Sequence, residues 1–366
     1  MNFEDTKTIV NLGDLNLSGR LFGTGGDIDH ETVTLRSDPI SGLKAVVAVH
    51  STARGPAFGG CRYWHYVSDT AALHDALRLA QGMSLKNALA DLPFGGGKAV
   101  LLKGAEPTDR DALFKSFGRA VDALGGTYIT AEDVGTTVAD MLAVQTQTRY
   151  VSGVMGEASF GGDPSPKTAL GVFVSIQVAV GKLLGRTSLE GVSVAVQGLG
   201  SVGWRLCELL HNAGAVLSVS DINGARVELA RQQFAAQVVE PTQILSQPVD
   251  VLAPCALGGA INDHTVKTVR ARIIAGAANN QLSHSGIGDE LHARGIFYAP
   301  DFLVNAGGII SVAREWLGEG DEASVLGEVT RIGERLAELI DRVQGSHIAP
   351  ALEAENWARA KMALTR

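Results

Sequence analysis

The stretch Val192-Ser193-Val194-Ala195-Val196-Gln197-Gly198-Leu199-Gly200-Ser201-Val202-Gly203 decides the fold. A strand-like apolar run leads directly into G-x-G-x-x-G, and Val202–Ala213 then carries helical spacing. With 44 glycines in the chain the motif alone carries little weight. Its setting carries much more, because Asp221 falls 18 residues after the last glycine, at the end of the next apolar run, Ala215–Ser220. That is the β-α-β context of a dinucleotide site. Gly198 permits the tight turn, Gly200 lets backbone approach a pyrophosphate, and Gly203 lets helix pack on strand. The free N–H groups where Ser201 and Val202 open the helix would face the phosphates. Asp221 would accept from the adenosine ribose hydroxyls and repel a 2′-phosphate, which favours NAD over NADP. Arg226, five residues further on, softens that preference.

Working outward, the short apolar runs 249–253, 272–275 and 296–298 read as further parallel strands. Thr168–Leu184 reads as a helix started by Pro166, 326–340 as an amphipathic helix, and Pro350 onward as a final helix. In the first half, Ala45–His50, Ala99–Leu102 and Tyr128–Thr130 read as strands. Helices are expected over Asp69–Leu92, broken at Pro93, and from a Thr108 cap to the stop at Gly125-Gly126. Val151–Pro166, with four glycines and two prolines, is the candidate linker, its hinge running from Gly153 to Pro166. The fold class is therefore α/β, with an N-terminal α/β domain (1–150, rejoined by a terminal helix over 346–366) and a doubly wound Rossmann-type dinucleotide domain (151–345).

Composition narrows the function classes. A charge of −8 argues against a nucleic-acid or anionic-membrane surface. No apolar run approaches the roughly 20 residues that span a bilayer. The acidic start Met1-Asn2-Phe3-Glu4-Asp5 lacks a secretory pattern. Cys61, Cys207 and Cys255 are too few and too scattered for a disulfide framework, so a cytoplasmic location is expected. The nine histidines never adopt metal-ligand spacing, and no metal is expected.

Three charges stand apart. Lys86 sits near the end of a helix, Lys98 closes Gly95-Gly96-Gly97-Lys98, and Asp133 follows the strand at Tyr128 in a loop ending at Gly135. The second motif lacks the first glycine and the Ser/Thr of a P-loop. Such strand-end loops usually form the ligand crevice of an open α/β sheet.

Here the chain resembles the NAD(P)-dependent amino-acid dehydrogenases that include the glutamate, leucine, phenylalanine and valine enzymes, nearest the leucine and phenylalanine branch. The resemblance runs over roughly residues 40 to 366. It rests on Gly55–Arg62, Met83–Ala88, Gly95–Lys98, Thr130–Thr136, the dinucleotide loop, Ala253–Ala256, Ala275–Asn280, Ala299–Asp301 and Asn305–Gly308. It implies reversible oxidative deamination of an L-amino acid to a 2-oxo acid and ammonium, with the active site between the two domains. It makes Lys86 the binder of the α-carboxylate, aided by the backbone of Gly59 and Gly60, Lys98 the catalytic lysine and Asp133 the catalytic acid. It sets Asn280 near the substrate, and Thr168, Cys255, Ala256, Ala277, Asn279 and Asn305 near the cofactor. It also implies a homo-oligomer, the first domain serving oligomerisation.

The chemistry needs such a set. Hydride loss from Cα leaves an iminium that water must attack, and a lysine ready to shed its proton can activate that water. Burial and a like charge at Lys86 would both disfavour the ammonium form of Lys98. A carboxylate can exchange protons with the departing nitrogen.

Specificity follows from three side chains in the same resemblance. Glutamate-specific members carry a lysine before the twin glycine, where this chain has Phe58, and a serine where it has Val312. Burying a substrate carboxylate against Phe58, Ile309 and Val312 would cost several kcal/mol. Ala131 stands where leucine-type members have alanine and aromatic-specific ones tend to have glycine. A shortened apolar pocket is therefore expected, suited to leucine, valine or isoleucine, with phenylalanine the runner-up. A non-catalytic NAD-sensing protein of the same fold is the alternative of a different class. Cys61 and Cys255 need be no more than small packing residues, and Trp204 is expected to face outward or toward a subunit.

Overall fold

The computed structural model describes residues 29–105, 109–154 and 163–363. Its first half is a mixed sheet of β1 (Thr32–Asp38), β2 (Leu43–Ser51), β3 (Ala57–Phe58), β4 (Cys61–Trp64), β5 (Gly95–Leu102) and β6 (Tyr128–Ile129). The helices of this half are α1 (Asp69–Leu89), α2 (Arg110–Asp122) and α3 (Val138–Gln145). Strand order is β1-β2-β5-β3-β6, and β4 also pairs with β5. β3 and β4 run along successive halves of β5, so Gly59-Gly60 forms the break between them. β1 and β2 form an antiparallel hairpin that the apolar pattern alone does not reveal.

Three glycines begin β5 because no Cβ fits there. A side chain at Gly95 would run into the Ser51 carbonyl, one at Gly96 into the backbone of Ser84, and one at Gly97 into the Tyr128 ring. α1 thus lies directly on β5, held by the buried Asn87 amide donating to the carbonyls of Gly95 and Phe58. α1 starts at a Ser68 cap and stops at Leu89, with Asp91 left-handed at φ 57°. α2 is capped by Asp109, which accepts from Ala112 N, rather than by Thr108, which lies outside the described residues. Gly125 and Gly126, both at positive φ, end that region.

The second half is the fold that the dinucleotide motif promised. β7 (Ser193–Gln197), β8 (Val216–Ser220), β9 (Gln237–Val238), β10 (Val251–Pro254), β11 (Ile273–Ile274) and β12 (Phe297–Tyr298) form one parallel sheet in the order β12-β11-β10-β7-β8-β9. Parallel strands buried on both faces read as continuous apolar runs, which is why these were visible. Around it lie α4 (Ser165–Leu184), α5 (Ser201–Asn212), α6 (Gly224–Phe234), α7 (Gly286–Ala293), the single-turn α8 (Asp301–Val304), α9 (Gly307–Leu317) and α10 (Glu322–Val343). The last helix, α11 (Pro350–Ala363), packs against α1 as well as α7 and α10. Most of the expected hinge, 155–162, lies outside the described residues.

One expectation needs correction. α4, at 20 residues and a mean hydropathy of 1.4, is long and apolar enough to cross a membrane. It packs instead against α5, α9 and α10, burying Val172, Ile176 and Val180. Trp204 is half-buried: its ring meets Phe234 of α6 at 4.9 Å, so helix-to-helix packing takes up one side of it.

Candidate active site

The strand order reverses between β7 and β10, and the loops leaving their carboxyl ends meet there. Gly198 turns at φ 95° with Ala256 directly beside it, and Gly203 lies against the Gly198 carbonyl and Cys255. A Cβ on Gly200 would meet nothing within 4 Å, so that face of the loop is open. α5 has no side-chain cap at its N-terminus, which leaves the first N–H groups around Ser201 and Val202 for an anion. Asp221, just past the end of β8, accepts from Leu199 N at 2.6 Å and from Asn223 N at 2.7 Å. Arg226 donates to the Leu199 carbonyl at 2.8 Å, so its guanidinium is tied to the loop backbone. Burial pushes the Cys255 thiol up to about 12, as befits a packing residue.

Beside this loop opens a cavity of about 250 Å³. From the first half its walls include Gly60, Lys86, Lys98, Ala131 and Asp133. From the second half they include Thr168, Val202, Ala277, Asn279, Asn280 and Asn305. Ile309 and Val312 of α9 complete the apolar side. Val202 belongs to both features, so the dinucleotide loop and the lysine cavity adjoin. Gly59 is not a wall residue; its carbonyl accepts from the buried Tyr128 hydroxyl at 2.6 Å, which anchors the twin glycine from beneath.

Phe58 is the clear correction. Its ring is fully buried and packs on Phe94 at 4.9 Å and on Trp316 at 6.5 Å, away from the cavity. A two-residue strand sandwiched between β5 and β6 has no solvent face, and two aromatic partners hold this ring in the core.

The charged groups interlock. Lys98 Nζ, 4% exposed, lies 2.9 Å from Asp133 Oδ2, and Arg62 Nε reaches the same oxygen at 3.1 Å. The nearest charge to Lys98 is thus a carboxylate rather than Lys86. Burial acts to raise the Asp133 pKa, but the Lys98 and Arg62 charges overcome it and hold the carboxyl well below the usual range. Lys86 donates to Asn279 Oδ1 at 3.1 Å, and the Asn305 amide donates to that same oxygen at 3.1 Å. Burial brings Lys86 down to about 8, against an opposing pull from Asp301. Burial in turn raises Asp301, partly offset by Lys86. Glu132 is raised by burial and by the neighbouring Asp163, Asp140 and Asp133.

Arg62, Glu132, Asp301, Leu79 and Met83 belong to this site and escaped the sequence reading as site residues. Arg62, Glu132, Asp301 and Met83 lie inside the quoted motifs, which was the available signal.

Comparison with known proteins bears on the whole chain. The family model described as Glu/Leu/Phe/Val dehydrogenase, dimerisation domain, matches residues 30–150. The model for Glutamate/Leucine/Phenylalanine/Valine dehydrogenase matches 163–230 and 225–344. The chain is 45% identical over 334 residues to a leucine dehydrogenase of Bacillus subtilis (strain 168), covering 91% of this chain and 92% of that one. It is 42% identical over 315 residues to a phenylalanine dehydrogenase of Bacillus thermotolerans, covering 85% and 82%. The crystal structure of L-tryptophan dehydrogenase from Nostoc punctiforme superposes with a TM-score of 0.76 at 40% identity, covering 92% of this chain and 97% of that one.

Proposed function

The chain belongs to the glutamate/leucine/phenylalanine/valine dehydrogenase family, and from that premise we propose that it reversibly deaminates an apolar L-amino acid with NAD, preferring leucine, valine or isoleucine. It is an NAD(P)-dependent amino-acid dehydrogenase of the leucine and phenylalanine branch. The observation that carries the finer reading is the convergence of Lys86, Lys98 and Asp133 on one cavity beside the open Gly200 loop.

In this reading Lys86 grips the α-carboxylate, with Gly59 and Gly60 shaping the backbone around it. Lys98 activates the attacking water, and Asp133 exchanges protons with the departing nitrogen. The bound dinucleotide supplies the hydride acceptor. Thr168, Ala277, Asn279 and Asn305 stand where they would orient its nicotinamide half, while Gly198, Gly203, Cys255 and Ala256 shape the phosphate turn. The Asp221 carboxylate, which would repel a 2′-phosphate, supports NAD over NADP. Retention of all three charged groups supports an enzyme rather than an NAD sensor.

Ala131, Ile309 and Val312 support an aliphatic side chain, and Lys86 and Lys98 both lie at the reacting end, leaving no cation assigned to a glutamate side chain. The retreat of Phe58 into the core favours a second reading, an aromatic substrate, because it no longer shortens the pocket. Comparing kcat/KM across 2-oxo acids with ammonium, using NADH and then NADPH, decides between them. The branched aliphatic acids are expected to lead with NADH, and a strong preference for phenylpyruvate would reject the aliphatic reading.

Lys86 gives a pH test. It must be protonated to hold a carboxylate by charge, and burial sets it at about 8. The KM for the 2-oxo acid is expected to climb as pH rises through that value while remaining flat below it. A KM indifferent to pH between 7 and 10 would remove Lys86 from this role.

Assembly as a homo-oligomer is part of the proposal. The matched description of residues 30–150 as a dimerisation domain supports it, as does the edge strand β1 with Val33 and Leu35 39% and 41% exposed. The division into 1–150 with 346–366 and 151–345 is supported by the packing of α11 on α1. A cytoplasmic location is supported by three free thiols.

A further inference from the structure

Arg62 makes no contact that the proposed chemistry requires, yet it is wedged between two carboxylates. Its Nε donates to Asp133 Oδ2 at 3.1 Å and its Nη1 donates to Asp75 Oδ2 at 3.0 Å. Asp75 is fixed in turn by the Tyr66 hydroxyl, which donates to the same Oδ2 at 2.6 Å. The guanidinium is mostly buried, with 18% of its side chain exposed, so these contacts are poorly screened. α1 supplies Asp75 and β4 supplies Arg62, so the chain of contacts ties the helix that carries Lys86 to the loop that carries Asp133.

We propose that Arg62 is a positioning residue for the catalytic acid, its guanidinium bridging Asp75 and Asp133 and so fixing the orientation and charge of the Asp133 carboxylate. This deepens the dehydrogenase reading and rests on it. Lys98 alone would leave Asp133 free to rotate about one ion pair. With Arg62 also on Oδ2, the carboxylate plane is set by two donors, and Oδ1 is the oxygen left for the substrate nitrogen.

The charges facing Asp133 decide the sign of the effect. Lys98 from β5 and Arg62 from β4 are its two direct cations, and Lys86 from α1 adds a weaker third. Glu132 beside it is pushed toward its protonated form by burial and its acidic neighbours, while Cys61 and Tyr128 beneath are kept neutral by burial. Removing Arg62 deletes a cation from Asp133 and also frees Asp75 from its partner, and both changes favour the protonated acid.

The test is the pH profile of kcat/KM for the best amino acid in the parent, Arg62→Gln, Arg62→Lys and Asp75→Asn. In Arg62→Gln the Asp133 limb, which the parent holds below the ordinary carboxylate range, is expected to move up by about one to three pH units, with the loss greatest in acid and recovering toward high pH. Arg62→Lys, which keeps the charge but cannot bridge two carboxylates, is expected to move the limb less while still lowering kcat. Asp75→Asn keeps the cation on Asp133 and is expected to leave the limb in place or lower it. A limb in Arg62→Gln superimposable on the parent's, with a uniform loss at every pH, overturns the proposal. Should Arg62→Gln fail to fold, Arg62→Lys decides, and a parental kcat there overturns it equally. Failure of the underlying reading looks different, because the parent itself would then turn over no amino acid.

Discussion

Replacing Lys98 with alanine is expected to lower kcat by about 10²–10⁴-fold while leaving NADH affinity unchanged. The nitrogen is buried at the cavity wall, 2.9 Å from Asp133 and in the half of the protein that does not carry the dinucleotide loop. Its loss therefore removes the group proposed to activate water without touching Gly198, Gly200 or Asp221. Lys98→Arg is expected to rescue little, since a guanidinium keeps its charge but does not release a proton. Steady-state rates together with NADH fluorescence titration measure the two quantities separately. A kcat within about twofold of the parent, far short of the usual acid–base contribution, would remove Lys98 from the mechanism.

Asp133→Ala combines an activity loss with the largest stability loss expected at the site. It leaves Lys98 and Arg62, 4% and 18% exposed, without their shared carboxylate. Breaking a buried pair by deleting one partner costs roughly 3–5 kcal/mol, because the remaining charges stay desolvated. Denaturant midpoints for the parent, Asp133→Ala and Asp133→Asn measure it. The pH dependence has a definite sign. Asp133 is held below the ordinary carboxylate range, so its contribution is complete above about pH 4 and is lost as pH falls toward its folded value. The gap between parent and variant is expected to be constant near neutrality and to narrow in strong acid. An alanine variant as stable as the parent at pH 7 would mean the ion cluster contributes nothing net.

The second half of the molecule was legible because each of its central strands is buried on both faces and each turn carries its glycine. The first half was less so. β1 alternates exposed and half-buried residues and includes Thr32, Thr34, Arg36 and Ser37, which present no apolar run. β5 opens with three residues of poor strand propensity, present only because α1, β2 and Tyr128 press against them. No one-dimensional pattern announces such a contact. Phe58 failed for a related reason: a strand of two residues has no period from which to read a face. Arg62 lay beyond reach because its partner Asp133 is 71 residues away. Charge pairing over that separation is a property of the fold, whereas Lys98 and Asp133 were marked by the glycines beside them and Lys86 by the family resemblance of its helix.

The close approach of α1 to β5 has a wider consequence. The backbone of Ser84 rests where Gly96 lacks a Cβ, and Lys86 and Lys98 each lie two residues beyond that point of contact. The spacing between the two ammonium groups is thus gauged by main chain touching main chain, like a jig that clamps both tools. Most of the apolar wall, Ile309 and Val312, belongs to α9 on the other side of the crevice, while Ala131 shares a loop with Asp133. Such a layout decouples reaction from selectivity: the wall can drift, generation by generation, to admit a bulkier or slimmer side chain while the jig stays true.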